Sequence, residues 1–275
     1  MDNYIYTALK ARLQRITEGE KGSFNWLFLP GGPGMGSESL AGLTSLLTLP
    51  GSIWHLDLPG DGSNTTDNDS LYFSHWSAAL VEAVSSLDNV ILVSHSTGGM
   101  YTLATPALQA LLKGLVLMDS APDASWQRCF SEYVLQHPID TLNKLQEQYQ
   151  ESPNNELLKK MVVASIPYLF TEAGGKHDVS FLEHLPYNHH TCDWSAQNFD
   201  GTYQSQWVPQ AIPTLIFAGE YDSITPLQLF LDAVQFKRNN ILIKSIPEAG
   251  HFPWIDNPQA VSLVFKEYCS MLVKE

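Results

Sequence analysis

Cysteine is scarce in this chain: three residues in 275, Cys129, Cys192 and Cys269, with no two close together. That spacing supplies neither a disulfide framework nor a CxxC site, and it is compatible with a reducing compartment. Positive charge is scarce as well. Fifteen Lys and Arg stand against 29 Asp and Glu, a net charge of −14 at pH 7. Such a surface repels a phosphate backbone, which argues against nucleic acid as a partner. Long apolar runs are missing. None approaches the ~18 residues of a membrane span, and the N-terminal stretch MDNYIYTALKARLQRITEGE lacks the basic start and apolar core of a secretory signal. A cytoplasmic location is the default expectation. Internal repeats, low-complexity tracts and flexible linkers are absent too, and nothing specifies an oligomeric state.

What is present is a series of short apolar runs, each ending in turn chemistry. Residues 25–29 run into Pro30-Gly31-Gly32-Pro33-Gly34, and 52–57 into Leu58-Pro59-Gly60-Asp61-Gly62. Residues 90–93 lead to Ser94-His95-Ser96, 114–118 to Asp119-Ser120, 214–218 to Gly219-Glu220-Tyr221-Asp222, and 241–246 to Pro247 through His251. Runs that are apolar throughout suit strands covered on both faces of a parallel sheet. Helical patterns separate them. Trp76, Leu80, Val84 and Leu87 form one stripe within 71–87, and Thr225-Pro226 and Asn257-Pro258 each pair a capping side chain with proline at the first helical position. The alternation predicts an α/β fold with a mostly parallel, doubly wound sheet. Residues 123–209 break the rhythm. Helical patterns at 142–150 and 156–170, an irregular aromatic stretch up to Trp207 and no convincing buried strand predict a helical cap. The expected division is a core of residues 1–122 and 210–275 with a cap at 123–209.

Four motifs carry chemistry. In Val93-Ser94-His95-Ser96-Thr97-Gly98-Gly99 a serine sits between a buried strand and a helix. A tight turn there lifts its hydroxyl above the sheet and brings the residues two before and two after it together, so both must be small. Gly98 meets that demand, and Ser94 adds only a hydroxymethyl group. Ser96 is therefore the candidate nucleophile. Attack on a carbonyl places charge on oxygen, and two backbone N–H groups aimed there stabilise it. One is expected from Thr97, directly after Ser96. The other is assigned to Gly32, because glycine lets backbone approach closely and Pro33 has no N–H to give. A phosphate-binding reading of that loop fails, since the lysine and Ser/Thr of a P-loop are missing. Asp222 and His251 follow later strands, fall at the same sheet edge as Ser96 and complete the order Ser, Asp, His. Asp222 is the candidate acid and His251 the candidate base.

With these residues in place the chain resembles the α/β-hydrolase superfamily over nearly all of its length outside 123–209. Asp57 to Ser63 resembles the family's Asp-x-Pro-Gly-x-Gly-x-Ser turn, with Asn64 where the last serine usually falls, and Pro30 stands where many members carry histidine. The resemblance implies the α/β-hydrolase fold with a cap and a cofactor-free serine hydrolase acting on a small-molecule substrate, with a carboxylester first. The Gly-Gly-Pro-Gly string also resembles proline iminopeptidases, whose Gly-Gly-Ser-Trp-Gly and Asp-Gln-Arg-Gly motifs do not occur here. An aminopeptidase of that type, and a non-catalytic ligand receptor on the same fold, are the alternatives. Dehalogenases and epoxide hydrolases of the fold use an aspartate nucleophile, against which Ser96 stands.

Other residues have two readings. Asp119 also ends a strand, where some relatives place the triad acid; alternatively it forms a turn. His189, His190, Cys192 and Asp193 are metal-ligand types whose spacing matches no common zinc pattern, so no metal is expected. Trp194, Phe199, Tyr203 and Trp207 either line an acyl pocket or pack the cap. His95 is expected to support or pack rather than react.

Overall fold

A computed structural model of the chain describes residues 3–177 and 179–272. Among these residues eight strands form one sheet: β1 Tyr4–Tyr6, β2 Arg12–Thr17, β3 Asn25–Leu29, β4 Ser52–Asp57, β5 Val90–His95, β6 Leu112–Met118, β7 Thr214–Gly219 and β8 Ile241–Ile246. Their spatial order is β1-β2-β4-β3-β5-β6-β7-β8. The pairings β1–β2 and β2–β4 are antiparallel. From β4 to β8 every pairing is parallel.

The unbroken apolar runs follow from the period-2 geometry of strands covered on both faces. Along β3, Trp26 and Phe28 enter one hydrophobic core while Leu27 and Leu29 enter the other. The same alternation sends Ile91 and Val93 of β5 to one side and Val90 and Leu92 to the other. The C-terminal helix Pro258–Leu272 closes one face with Val261, Phe265 and Tyr268, whose spacing makes a single stripe. The Phe265 and Tyr268 rings pack on Trp26, at centroid distances of 6.5 and 6.2 Å. Burying each large side chain of this kind contributes about 1.5–3 kcal/mol. Asn257 caps that helix by accepting from the Ala260 N–H at 3.1 Å, as its position before Pro258 predicts.

Helices between β6 and β7, from Ser125–Gln136 to His189–Asn198, form the insertion. Among the described residues of 123–209 the β-structure is an isolated bridge, Asp123 with Gln204. Two helical expectations are corrected. The stretch 71–87 is not one helix: the stripe residues Trp76, Leu80 and Val84 lie in Trp76–Ser85, and Leu87 falls beyond its end. Residues 71–73 belong to a separate helix, Asp69–Phe73, at whose end Ser74 turns its hydroxyl back to the Leu71 carbonyl at 2.5 Å. The helix expected at Thr225-Pro226 begins at Gln228, because the Thr225 hydroxyl is directed to Asp222 rather than to a helix cap. Among the described residues no helix is long and apolar enough to cross a membrane.

Candidate active site

Ser96 stands between β5 and the buried helix Thr97–Leu103, with φ +50° and ψ −125°. A positive φ on a residue with a Cβ stores about 1–3 kcal/mol of strain and persists only where its surroundings enforce it. Here the Ser96 N–H donates to the Met118 carbonyl at 2.9 Å, and the Ser120 hydroxyl donates to the Ser96 carbonyl at 2.8 Å. Gly98 is required by space: a Cβ there would lie 2.3 Å from the Pro30 carbonyl oxygen. Ser94 fits because its hydroxyl pairs with Thr102 at 2.8 Å inside the core.

The turn brings Ser96 Oγ to 3.0 Å from His251 Nε2. His251 Nδ1 lies 3.0 Å from Asp222 Oδ2. A carboxylate can only accept, so Nδ1 carries the proton and Nε2 is free to accept from the Ser96 hydroxyl. Asp222 also accepts from the Ile224 and Thr225 N–H groups at 2.9 and 3.1 Å and from the Thr225 hydroxyl at 2.8 Å. Burial alone would raise its pKa, but His251 and the Thr225 donors outweigh that and hold it below the usual carboxylate range. Ser96, Asp222 and His251 are all buried, the serine most accessible at 8%.

His95 lies behind His251. Its Nε2 donates to the His251 carbonyl at 3.0 Å, and its ring meets Trp254 edge-on at 5.0 Å. Burial, reinforced by the nearby His251, pushes its pKa down to about 3, so it stays neutral.

The glycine loop is braced against the Ser96 turn. A Cβ on Gly31 would come within 2.4 Å of the Ser96 Cβ, and Gly32 turns with φ +52°. Gly32 and Thr97 both border the cavity that contains Ser96. No hydrogen bond among the described residues occupies either backbone N–H. Two acidic side chains hold the loop from below. Asp57 accepts from the Ser37 N–H at 2.7 Å and from Arg12 at 2.7 Å. Asp61 Oδ1 accepts from the Gly34 and Gly36 N–H groups at 2.7 and 3.3 Å. Asn64, in place of serine, fastens the turn by donating to the Lys10, Asp57 and Leu58 carbonyls.

Burial, with the charge of Asp57, pushes Asp61 up to about 8. Its folded pKa therefore exceeds its unfolded value near 4, and folding takes up a proton. The stability from this group is fully present below about pH 4 and is lost as pH rises through about 8. Asp61→Asn keeps an oxygen acceptor for both glycines. Its expected effect is a flatter fall in Tm between pH 5 and pH 8.5, measured by calorimetry on both proteins.

The cavity beside Ser96 measures about 240 Å³. From the core it is bordered by Gly32, Met35, Met100 and Ile224, and from the insertion by Trp126, Val162, Ser165, Leu169, Cys192 and Asp200. The insertion residues went unrecognised in the sequence, because they come from separate segments that only packing unites. Tyr203 and Trp207 pack in the core, donating to the Ala121 and Thr102 carbonyls at 3.0 and 2.8 Å. Trp194 meets Phe73 and Phe199 meets Tyr101. None of these four aromatics borders the cavity, so they are packing residues. His189 turns to Asn155 at 2.7 Å and Asp193 accepts from Tyr149 at 2.7 Å. Residues 189–193 thus provide no cluster of three metal-ligand side chains among the described residues.

An α/β sheet with a strained serine turn at its carboxyl edge defines a hydrolase scaffold. The pattern of the alpha/beta hydrolase family matches residues 26–262, and the chain belongs to that family. A Mycoplasma genitalium protein assigned by name to the esterase/lipases is 23% identical over 224 residues, covering 80% of this chain and 79% of its own. Among solved structures, an esterase from Exiguobacterium antarcticum superposes with a TM-score of 0.72 at 17% identity, over 98% of this chain and 100% of that one. A proline iminopeptidase-related protein from Thermus thermophilus gives 0.70 at 20%, over 98% and 97%. These two likenesses concern the fold.

Proposed function

We propose that the chain is a serine hydrolase that cleaves a small-molecule carboxylester through an acyl-enzyme on Ser96. One observation carries the reading: the unbroken chain from Ser96 Oγ through His251 to Asp222, with both links at 3.0 Å, opening on a cavity. His251 takes the serine proton as Oγ attacks the carbonyl, and Asp222 holds the imidazole in the required tautomer and stabilises its positive form. The Gly32 and Thr97 N–H groups receive the oxyanion. His251 then protonates the leaving alkoxide, and the same base activates the water that releases the acid. No step calls for a cofactor.

The test is labelling with a fluorophosphonate followed by peptide mass spectrometry, beside turnover of p-nitrophenyl esters of graded chain length. The expected adduct is on Ser96. An adduct elsewhere, or turnover that survives blockage of Ser96, overturns the reading.

The cavity lining also bears on substrate charge. Among the described residues it contains no Lys or Arg, and its one acid is Asp200. Asp200 Oδ1 accepts from Ser195 at 2.8 Å, and no salt bridge among the described residues engages this side chain. Burial pushes its pKa up, opposed by the Ser195 hydrogen bond. An unpaired acid here favours the aminopeptidase reading as the second choice, since a substrate amine would complement it. An ester carrying a free carboxylate is expected to show about tenfold lower kcat/KM than its neutral isostere, equivalent to ~1.4 kcal/mol. Asp200→Asn should narrow that gap, measured on the same ester pair. An unchanged gap would remove Asp200 from substrate selection.

A further inference from the structure

Asp119 follows β6 with φ +44° and is completely buried. Its Oδ1 accepts from the Gly219 N–H at 2.8 Å. Its Oδ2 meets no donor at all among the described residues. The acceptor beside it is the Asp222 carboxyl. One ligand atom each from Asp119, Asp222 and His251 lie within 4.8 Å of one another. The cause is topological: β6 and β7 are neighbours in parallel register, and each ends near an aspartate.

We propose that Asp119 is a second acid of this array, a positioning residue that braces Asp222 in the intact protein and takes over the His251 imidazole when the Asp222 side chain is removed. The inference rests on the acyl-enzyme reading above. Two carboxyl groups in contact, both buried, cannot both hold a negative charge. Asp222 has four donors, namely two N–H groups, a hydroxyl and the imidazole, whereas Asp119 has one. The charge therefore resides on Asp222 and the proton on Asp119 Oδ2, where it turns an acceptor–acceptor contact into a hydrogen bond. Burial and the charge of Asp222 act in the same direction, raising Asp119 well above the usual range. The titratable groups around it are Asp222, His251 and, with the smallest effect, Asp256.

Removing Asp222 removes the charge that keeps this proton in place. In Asp222→Ala, Asp119 ionises into the space left free and accepts from the imidazole. In Asp222→Asn the amide fills that space, and its NH₂ opposes the required tautomer. Alanine is thus the milder of the two changes.

The experiment measures kcat for p-nitrophenyl acetate, from pH 6 to 9, in wild type and in Asp119→Asn, Asp119→Ala, Asp222→Ala, Asp222→Asn and the double variant Asp222→Ala/Asp119→Asn. The expected loss is about 10²-fold for Asp222→Ala and about 10⁴-fold for the double variant and for Asp222→Asn, the scale of a missing triad acid. Asp119→Asn keeps a donor toward Asp222 and should cost about threefold. Asp119→Ala should cost about tenfold in kcat with KM unchanged. The pH profile of Asp222→Ala should gain an ionisation that the double variant lacks. If Asp222→Ala is as inactive as the double variant, Asp119 is no second acid. Should Ser96→Ala keep wild-type turnover, the nucleophile assignment itself falls, and this inference with it.

A stability measurement covers variants that fail to fold. Because folding raises the Asp119 pKa, its contribution is lost as pH rises above the unfolded value near 4. The Tm of Asp119→Asn relative to wild type should increase from pH 5 to pH 8. A constant difference overturns the proton assignment.

Discussion

Ser96→Ala is expected to lower kcat for ester hydrolysis by about 10⁶-fold, and His251→Ala by a similar factor. The two losses should not add. Without the hydroxyl the base has nothing to activate, and without the imidazole the hydroxyl keeps its proton; the double variant should sit close to either single one. Residual turnover over water of about 10³–10⁴-fold is expected to persist in all three, because Gly32, Thr97 and the cavity remain. Alanine at position 96 tolerates the φ of +50° no worse than serine, so the fold should survive. Burst-phase kinetics checks the outcome: the acyl-enzyme burst disappears in Ser96→Ala while circular dichroism stays that of the parent. Substantial turnover in that variant would place the nucleophile elsewhere.

Asp222→Asn is expected to cost about 10⁴-fold in kcat, far more than a lost hydrogen bond. The reason is a matter of tautomers. The 3.0 Å contact with His251 Nδ1 demands an acceptor, and the Thr225 hydroxyl and two backbone N–H groups also converge on this carboxylate. An amide can offer one oxygen to these donors. Its NH₂ then faces either the other donors or the imidazole, which turns its Nδ1 into an acceptor and leaves a proton on Nε2. Such an imidazole cannot accept from Ser96. Replacement by glutamate is not expected to rescue activity, since the Asp222 side chain is fully buried and a longer one would displace its partners. The measurement is kcat against pH. Partial recovery above pH 9, where hydroxide replaces the base, is the expected signature, and near-wild-type rates at neutral pH would remove Asp222 from its role.

Much of this was legible in the sequence, for a physical reason. Strands β3 to β7 were readable because burial on both faces forces largely apolar runs, as at Val90-Ile91-Leu92-Val93, and the edge strand β8 was readable from Ile241-Leu242-Ile243 despite its partial exposure. Strands β1 and β2 were not, because they lie at the sheet margin with mostly polar or exposed residues. The helix His189–Asn198 was also missed. Its buried positions, Thr191 and Ser195, are polar and leave no apolar stripe to detect. Ser96, Asp222 and His251 stood out because each follows a run that predicts a strand, so one sheet edge suffices to bring them together. The contact between Asp119 and Asp222 had a weaker signal, two aspartates just beyond strands that only the observed sheet order makes neighbours. The cavity lining from the insertion depends on helix packing, which no local pattern encodes.

Asn188, at the start of the helix His189–Asn198, donates its N–H to the Gly34 carbonyl at 2.7 Å and its side-chain amide to the Gly60 carbonyl and to Asp69 at 2.8 and 2.6 Å. A Cβ on Gly34 would lie 2.2 Å from the Asn188 carbonyl oxygen, so the two backbones touch. The roof over the cavity is thereby tied to the same peptide segment that presents the Gly32 N–H. Any displacement of this helix would therefore pull directly on that loop, so the two are expected to move as one mechanical unit.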